Sequence, residues 1–258
     1  MTSPGGPPRD DLGYPVELAR PARRVVSLVP SLTEAVAVTR RDALAGATQW
    51  CTQPGDLEVE RVRGTKNPDV AAVIRLRPDL VLANKEENRQ LDVERLRAAG
   101  VPVWVTDIRT LDQAFSSLRR MFTVALGWAE PPWLAEAERV WAEPAPVPAL
   151  RAVIAIWRDP WMVVGSGTFT GDLAARLGLD STYADHAERY PHVELDEAGM
   201  REAELIVLPD EPYAFSSGDG PEMFPRQRVA LVEGRSLTWY GPSLVTARAT
   251  LLAQLARS

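Results

Sequence analysis

The sequence predicts an α/β fold with two lobes, because both halves of the chain repeat a pattern of short apolar runs that alternate with helix-like segments. The runs are residues 24–28, 79–83 and 101–105 in the first half, and 152–156, 204–208 and 228–232 in the second. Continuous runs of Val, Ile and Leu are typical of strands buried on both faces of a parallel sheet. Each run ends in a polar or aromatic cluster, so we expect a ligand-binding cleft at these carboxyl ends.

The length and charge of the chain exclude several classes of function. Its 258 residues suit two domains of about 100–150 residues. The net charge is −6 and no basic block is present, which argues against a nucleic-acid partner. The longest apolar run, residues 152–157, is far shorter than the ~20 residues that span a bilayer, so no membrane insertion is expected. The first residues contain no apolar signal segment, so the chain as given is expected in the cytoplasm.

The pattern predicts a division into four parts: a disordered or hairpin lead-in (1–20), an N-terminal α/β lobe (21–110), connecting helices (111–149) and a C-terminal α/β lobe (150–258). The predicted helices are residues 32–38, 67–77, 91–99, 111–126, 133–141, 172–177 and 244–255. Ser31 and Glu34 match a capping box for the first of these helices. Val70, Val73, Ile74 and Leu76 are expected on the buried face of the second.

Few residues have the spacing of a catalytic or metal site. The glycine-rich turn 165–171 is one residue longer than a dinucleotide-binding fingerprint, so a tight turn with an N-cap is favoured over a phosphate cradle. His186 and His192 do not have the spacing of a helical metal pair. Cys51 has no neighbouring histidine, and a buried structural role is favoured over a ligand-lining one.

Aromatic residues gather near the predicted strand ends of the second lobe, and they leave two interpretations open. The rings either plug the sheet edge or line a pocket for a flat, bulky ligand. The residues concerned are Trp157, Trp161, Tyr213, Phe215, Trp239 and Tyr240.

Several segments resemble a known family when they are taken in order. They are residues 11–13 and 23–34, 64–69, 77–83 (Arg-Pro-Asp-Leu-Val-Leu-Ala), 100–103, 203–209 and 237–242. The chain resembles the solute-binding proteins for cobalamin and ferric siderophores that serve ABC importers, also described as helical-backbone metal receptors. The resemblance implies two Rossmann-like lobes with mainly parallel sheets, joined by a rigid helical connection, and a ligand held in a shallow cleft.

Together, the strand-end positions and the resemblance give one set of candidate ligand-binding residues. These residues are Pro30, Ser31, Trp50, Cys51, Lys66, Lys85, Glu86, Asn88, Trp157, Trp161, Glu211, Tyr213, Trp239 and Tyr240. No catalytic residue, metal ligand or resident cofactor is predicted. The lysines, with Arg158, are expected to suit an anionic group, and the tryptophans to suit a planar body. Together they favour an organic chelate or corrinoid-like ligand over a bare metal ion.

The sequence therefore predicts a ligand-binding protein without catalysis, whose partners are a small molecule and, if the chain is exported, an ABC importer. Three alternatives stay open. The first is an enzyme on the same scaffold, with Cys51 or Glu86 in the cleft. The second is an importer subunit of the periplasm or cell exterior, whose true start lies upstream. The third is a metal-ion receptor.

Overall fold

The computed structural model describes residues 6–18, 20–145 and 148–257. The chain divides into two compact units. Unit 1 comprises Met1–Ile108, Ala114–Leu134 and Tyr240–Pro242, and unit 2 comprises Arg109–Gln113, Ala135–Trp239 and Ser243–Ser258. The four-part division predicted from the sequence stays a prediction.

Unit 1 is built on a five-stranded parallel sheet with the strand order β3-β2-β1-β6-β7. A separate two-stranded antiparallel pair, β4 with β5, lies before the second helix. The strands are β1 (Val25–Ser27), β2 (Leu44–Ala47), β3 (Glu60–Arg61), β4 (Arg63–Gly64), β5 (Asn67–Pro68), β6 (Leu80–Asn84) and β7 (Val103–Thr106). The central strands β1 and β6 are fully buried, as expected of a sheet covered on both faces.

Helices connect the parallel strands of unit 1. They are α1 (Pro30–Arg40), α2 (Val70–Arg75) and α3 (Gln90–Ala98). Two further helices, α4 (Leu111–Arg120) and α5 (Pro132–Trp141), each contain residues of both units. A π-helical turn, Met121–Ala125, extends α4.

Unit 2 has a second parallel sheet with the order β10-β8-β11-β12, and β9 pairs with β8 in the antiparallel direction. Its strands are β8 (Leu150–Trp157), β9 (Met162–Val163), β10 (Leu179–Ser181), β11 (Leu205–Pro209) and β12 (Arg228–Val232). Its remaining helices are α6 (Phe169–Arg176), α7 (Ala198–Glu202), α8 (Gly234–Thr238) and α9 (Leu244–Leu255). The core around β8 and β11 is apolar and includes Val153, Ile206 and Leu208.

The predicted α/β class and all six predicted strands are confirmed, and several helix predictions need correction. Ser31 is not an N-cap, because α1 already begins at Pro30 and its N-cap, Val29, makes no side-chain cap bond. The helix predicted from residue 67 begins only at Val70. The Asp69 side chain caps that helix by accepting a hydrogen bond from the Ala72 N–H at 2.9 Å.

Three further differences from the predicted elements concern α2, α6 and the short strands. Ile74 is 37% exposed, so it lies off the buried face of α2. Helix α6 begins at Phe169, three residues before its predicted start, because Thr168 caps it. Strands β2, β3 and β10 were not predicted, since two to four residues carry too little periodicity to be recognised.

The N-terminal segment is fastened to the edge strand β7 through the buried Asp10. One carboxylate oxygen of Asp10 accepts from the Leu12 and Tyr14 N–H groups at 3.0 and 2.9 Å. The other pairs with Arg97 at 2.7 Å and accepts from the Val105 N–H at 3.3 Å. An isolated antiparallel bridge also joins residues 9 and 15, as in a short hairpin.

Candidate functional site

Two buried asparagines hold the loops at the carboxyl edge of the unit 1 sheet. The Asn88 amide nitrogen donates to the carbonyl oxygens of Leu28 at 3.2 Å and Thr65 at 3.0 Å. The Asn88 side-chain oxygen accepts from the N–H of Asn84, the last residue of β6, at 2.9 Å. The Asn84 side-chain oxygen accepts from the Glu86 N–H at 2.8 Å. The side chain of Asn88 thus joins three loops and positions them, and the ligand contact predicted for it stays a prediction.

Trp50 and Cys51 follow strand β2 and differ in their exposure. Trp50 is 59% exposed, and its indole lies over Gly64, where a Cβ atom would come within 3.2 Å of the indole nitrogen. Cys51 is fully buried; its sulfur accepts from the Thr33 hydroxyl at 3.0 Å and lies 3.2 Å from the Thr48 hydroxyl. Burial raises the pKa of the Cys51 thiol, so the thiol stays protonated at neutral pH. Trp50 is therefore open to a ligand, and Cys51 is a core residue.

The two lysines of this edge already have partners. Lys66 donates to the carbonyl oxygen of Glu86, and this contact joins the β4–β5 pair to the loop after β6. Lys85 forms an ion pair with Asp107 at 2.9 Å, just after β7. The positive charge of Lys85 is thus largely balanced by a carboxylate, which reduces the anion-binding role expected of it.

Ser31 and Tyr240 lie inside this edge rather than on its surface. The Tyr240 hydroxyl donates to a carboxylate oxygen of Glu87 at 3.2 Å. Burial first, and the Glu87 charge second, raise the pKa of Tyr240 well above its usual value, so the phenol is neutral. Gly241 lets the chain pass close to α1, because a Cβ there would lie 3.2 Å from the Ser31 carbonyl oxygen. Pro30, the first residue of α1, is half-buried.

Unit 2 presents two rings at the carboxyl end of β8, which we call the aromatic platform: Trp157 and Tyr213. Trp157 is the last residue of β8 and is 43% exposed. Its ring meets Tyr213 edge to face, with centroids 5.4 Å apart and planes at 79°. The Tyr213 hydroxyl donates to Asp219 at 2.7 Å, and this bond is the main cause of a raised pKa of Tyr213. The platform is therefore a neutral, partly exposed aromatic surface held in place by a hydrogen bond.

Three carboxylates, which we call the acidic rim, surround Arg158 beside the platform: Asp159, Asp219 and Glu222. Arg158 lies 3.3 Å from Asp159 and 2.8 Å from Glu222, and it also pairs with Asp219. The hydrogen bond with Glu222 raises the pKa of Arg158 and lowers that of Glu222. Arg158 is thus an interior support of the rim, and the anion-binding role expected of it stays a prediction.

Trp161 belongs to the core of unit 2. Its ring stacks on Phe215, with centroids 5.8 Å apart and planes at 8°, and meets Phe224 edge to face at 5.2 Å. Only 7% of Trp161 is exposed. Trp161 and Phe215 thus fill the sheet edge, and the ligand contact predicted for Trp161 stays a prediction that this packing does not favour.

Glu211 lies in a tight niche after β11. A Cβ atom on Gly234 would lie 2.4 Å from the Glu211 Cγ and under 3.0 Å from its backbone N and O, so only glycine fits opposite it. Burial raises the pKa of the Glu211 carboxyl, and nearby Asp210 adds to the effect, while hydrogen bonds from Trp239 and Thr238 oppose it. Trp239 is only 8% exposed. Glu211 and Trp239 thus contact each other, and the ligand-binding role predicted for both stays a prediction.

The glycine-rich turn before α6 is a capped helix start, as predicted. The Thr168 hydroxyl accepts from the Gly171 N–H at 3.1 Å. Ser166 donates to the backbone carbonyl of His186 at 2.7 Å, and the His186 ring accepts from the Glu188 N–H at 3.0 Å. These contacts give the turn and the histidine structural tasks. In the part of the chain that the structure describes, no three His, Cys, Asp or Glu side chains are grouped to hold a metal ion.

Comparison with known proteins gives relatives that cover nearly the whole chain. The vitamin B12-binding protein of Pectobacterium carotovorum subsp. carotovorum (strain PC1) is 25% identical over 250 residues, which cover 90% of this chain and 88% of that protein. Vitamin B12 binding protein BtuF of Vibrio cholerae, a periplasmic protein, matches with a TM-score of 0.74 and 19% identity over 92% of this chain and 98% of that chain. A periplasmic heme binding protein from Pseudomonas aeruginosa matches with a TM-score of 0.73 and 21% identity over 92% and 94%. No family model matches the chain.

The chain has the fold of the periplasmic vitamin B12- and heme-binding proteins. The predicted resemblance to solute-binding proteins of the cobalamin and siderophore type is thereby confirmed. The relatives are binding proteins by name, and none of the three is named as an enzyme. None of the described helices has the length and apolarity needed to cross a membrane.

On this periplasmic binding-protein fold, the exposed candidates within each unit are few. In unit 1 they are Trp50, Lys66 and Lys85, and in unit 2 the exposed candidate is Trp157, with Tyr213 half-buried beside it. The predicted shared cleft stays a prediction.

Sequence reasoning did not assign a role to Asp219 or Glu222, because they lie far along the chain from the Arg158 that they surround. The signal available in the sequence was an arginine directly after the aromatic residue at the end of β8.

Proposed function

We propose that this protein is a receptor for a bulky, planar organic chelate of the corrinoid or tetrapyrrole class, and that it binds without catalysing a reaction. The observation that carries the proposal is the aromatic platform, since Trp157 is 43% exposed at the carboxyl end of a strand whose four central residues, 152–155, are buried. When a flat apolar ligand covers a large exposed ring, apolar surface is removed from water, and this burial favours binding.

The names of the relatives support this ligand class. Two of them are vitamin B12-binding proteins and one is a heme-binding protein, and both ligands are large planar chelates. The described residues also provide no group of three donors for a bare metal ion, which would need several converging ligands. We therefore favour the chelate over the metal-ion receptor.

The alternative of an enzyme finds little support in the two side chains that it would use. The Cys51 thiol has a raised pKa and is enclosed by two threonine hydroxyls, whereas a catalytic cysteine needs a lowered pKa and access. The backbone of Glu86 is used in the loop contacts with Lys66 and Asn84. We propose that the Cys51 thiol carries no chemistry.

The proposal also concerns where the protein works in the cell and to which partner it delivers its ligand. The sequence analysis expects a cytoplasmic chain, whereas the structural relatives are named as periplasmic. We propose that the receptor works outside the cytoplasm and delivers its ligand to an ABC importer. Detection of the native protein in the extracytoplasmic fraction of its source cells would support this, and its recovery only with cytoplasmic markers would contradict it.

Isothermal titration calorimetry tests the proposed ligand class directly. Cyanocobalamin, hemin and free Zn²⁺ are titrated in parallel into the full chain. We expect saturable binding of at least one planar chelate, and a loss of roughly tenfold or more in affinity in Trp157→Ala, because one stacking ring is worth about 1–3 kcal/mol by truncation. Leu91→Ala is the matched control, since Leu91 is 54% exposed on α3 of unit 1. Binding of Zn²⁺ alone would overturn the proposal in favour of a metal-ion receptor.

A further inference from the structure

The charges beside the aromatic platform are arranged with the carboxylates outward. The side chain of Arg158 is only 15% exposed, whereas those of Asp159, Asp219 and Glu222 are 81%, 41% and 49% exposed. One covered cation therefore faces three solvent-exposed anions, and the rim has an excess of negative charge where it meets water. A ligand that approaches the rim meets carboxylates before it meets the guanidinium.

The acidic rim is joined to the platform by a direct contact. Asp219 accepts the Tyr213 hydroxyl at 2.7 Å and pairs with Arg158 through its other oxygen. The same carboxylate therefore fixes one ring of the platform and contributes to the rim. A ligand that contacts Tyr213 would therefore lie close to a carboxylate that is hydrogen-bonded to that ring's hydroxyl.

The carboxyl edge of unit 1 has the same sign of charge. Two lysines there, Lys66 and Lys85, are accompanied by three acidic residues, Glu86, Glu87 and Asp107. Lys85 is already paired with Asp107. Within unit 1, these five residues therefore carry no excess of positive charge.

We propose that the acidic rim is a specificity determinant, which admits planar chelates with an uncharged, amide-bearing or cationic periphery and disfavours those with free carboxylates. The inference rests on the proposed function and narrows its ligand class. The physical cause is Coulomb repulsion: like charges about 8 Å apart at a hydrated surface repel enough to lower affinity by roughly twofold per pair, and several pairs act together. Added salt weakens this repulsion, because the Debye length falls to about 3 Å at 1 M.

Two corrinoids that differ in their periphery provide a sharp test. Cobinamide carries amides around the ring, and cobyrinic acid carries carboxylates at the corresponding positions, while the planar body is the same. We expect calorimetry at low salt to give cobinamide roughly tenfold higher affinity than cobyrinic acid, with the ratio shrinking as salt is added. Hemin, which has two propionates, should behave like cobyrinic acid in its salt dependence.

The double variant Asp159→Asn/Glu222→Gln removes two rim charges and leaves the Asp219–Tyr213 bond in place. We expect it to raise the affinity for cobyrinic acid roughly fivefold and to leave that for cobinamide nearly unchanged. Glu202→Gln is the matched control, since Glu202 is 52% exposed and paired with Arg151 at the opposite end of β8.

The outcomes separate this inference from the proposed function. Equal or tighter binding of cobyrinic acid by the wild-type protein, or an affinity ratio that the double variant does not change, overturns the rim as a specificity determinant while ligand binding stands. Failure of the wild-type protein to bind any of the planar compounds overturns the proposed function itself.

Discussion

The side-chain amide of Asn88 donates to the carbonyl oxygen of Leu28 at 3.2 Å, across 60 residues of sequence. Leu28 follows β1 and Asn88 follows β6, so the bond joins the loops of two neighbouring parallel strands at their carboxyl ends. The same amide donates to Thr65, which lies in the turn between β4 and β5. One buried side chain thus sets the relative positions of three loops at the edge where ligands of such sheets lie.

Asn88→Ala should therefore destabilise unit 1. It leaves the carbonyl oxygens of Leu28 and Thr65 and the Asn84 N–H without these partners, and each buried polar group left unsatisfied costs about 1–3 kcal/mol. We expect a fall in the free energy of unfolding of at least about 2 kcal/mol in urea denaturation. Gln90→Ala, which removes an exposed side chain bonded only to Glu94, should change it by less than about 0.5 kcal/mol. Equal effects of the two variants would contradict the positioning role of Asn88.

The sequence allowed the sheets to be predicted well, for a reason visible in β6 and β11. Both are five-residue strands with every residue buried, and apart from Asn84 at the end of β6 all their residues are apolar, as strands covered on both faces require. Strands such as β3, with two exposed residues, carry no such signal. They are defined by pairing with β2, which is information that the local sequence does not contain.

The candidate site was predicted less completely, because residue type does not fix exposure. Trp157 and Trp161 are four residues apart and equally aromatic, yet the first is 43% exposed and the second 7%. The difference arises from Phe215 and Phe224, which enclose Trp161 from a distant loop. The partners of Arg158 were missed for the same reason, since Asp219 and Glu222 lie more than 60 residues away.

Gly234→Ala tests the niche around Glu211. A Cβ atom there would lie 2.4 Å from the Glu211 Cγ and 2.8 Å from its carbonyl oxygen, so the backbone after β11 must shift. We expect the free energy of unfolding to fall by about 1–3 kcal/mol, as for other overpacked sites. Gly218→Ala in the same unit adds a Cβ into open space and should be neutral or slightly stabilising. The melting temperatures of the two variants, each compared with that of the wild-type protein, measure this difference in stability. An unchanged melting temperature in Gly234→Ala would show that the residues around Glu211 leave room for a Cβ atom.

Cys51 should resist alkylation in the native protein. Its sulfur is fully buried, and burial raises the pKa of the thiol, so both access and thiolate are lacking. At pH 8 we expect modification by iodoacetamide, followed by intact mass spectrometry, to be slow in buffer and complete within minutes in 6 M guanidinium chloride. Alkylation of free cysteine in the same solution serves as the control that the iodoacetamide is active. Rapid labelling of the native protein would revive the enzyme alternative.

The last prediction concerns the pH dependence of stability at Glu211. Burial, followed by the Asp210 charge, raises the pKa of Glu211, although Trp239, Thr238 and Arg235 oppose the shift. A carboxyl with a raised pKa in the folded state binds more protons there than in the unfolded chain, so its contribution is fully present below the unfolded value of about 4.5 and is lost as pH rises through the folded pKa. Glu211→Gln keeps the shape of the side chain but cannot ionise. Its free energy of unfolding should thus fall less steeply than that of the wild-type protein as pH rises above 4.5, with urea denaturation at a series of pH values as the measurement. Parallel pH profiles would mean that Glu211 ionises as freely in the native protein as in the unfolded chain.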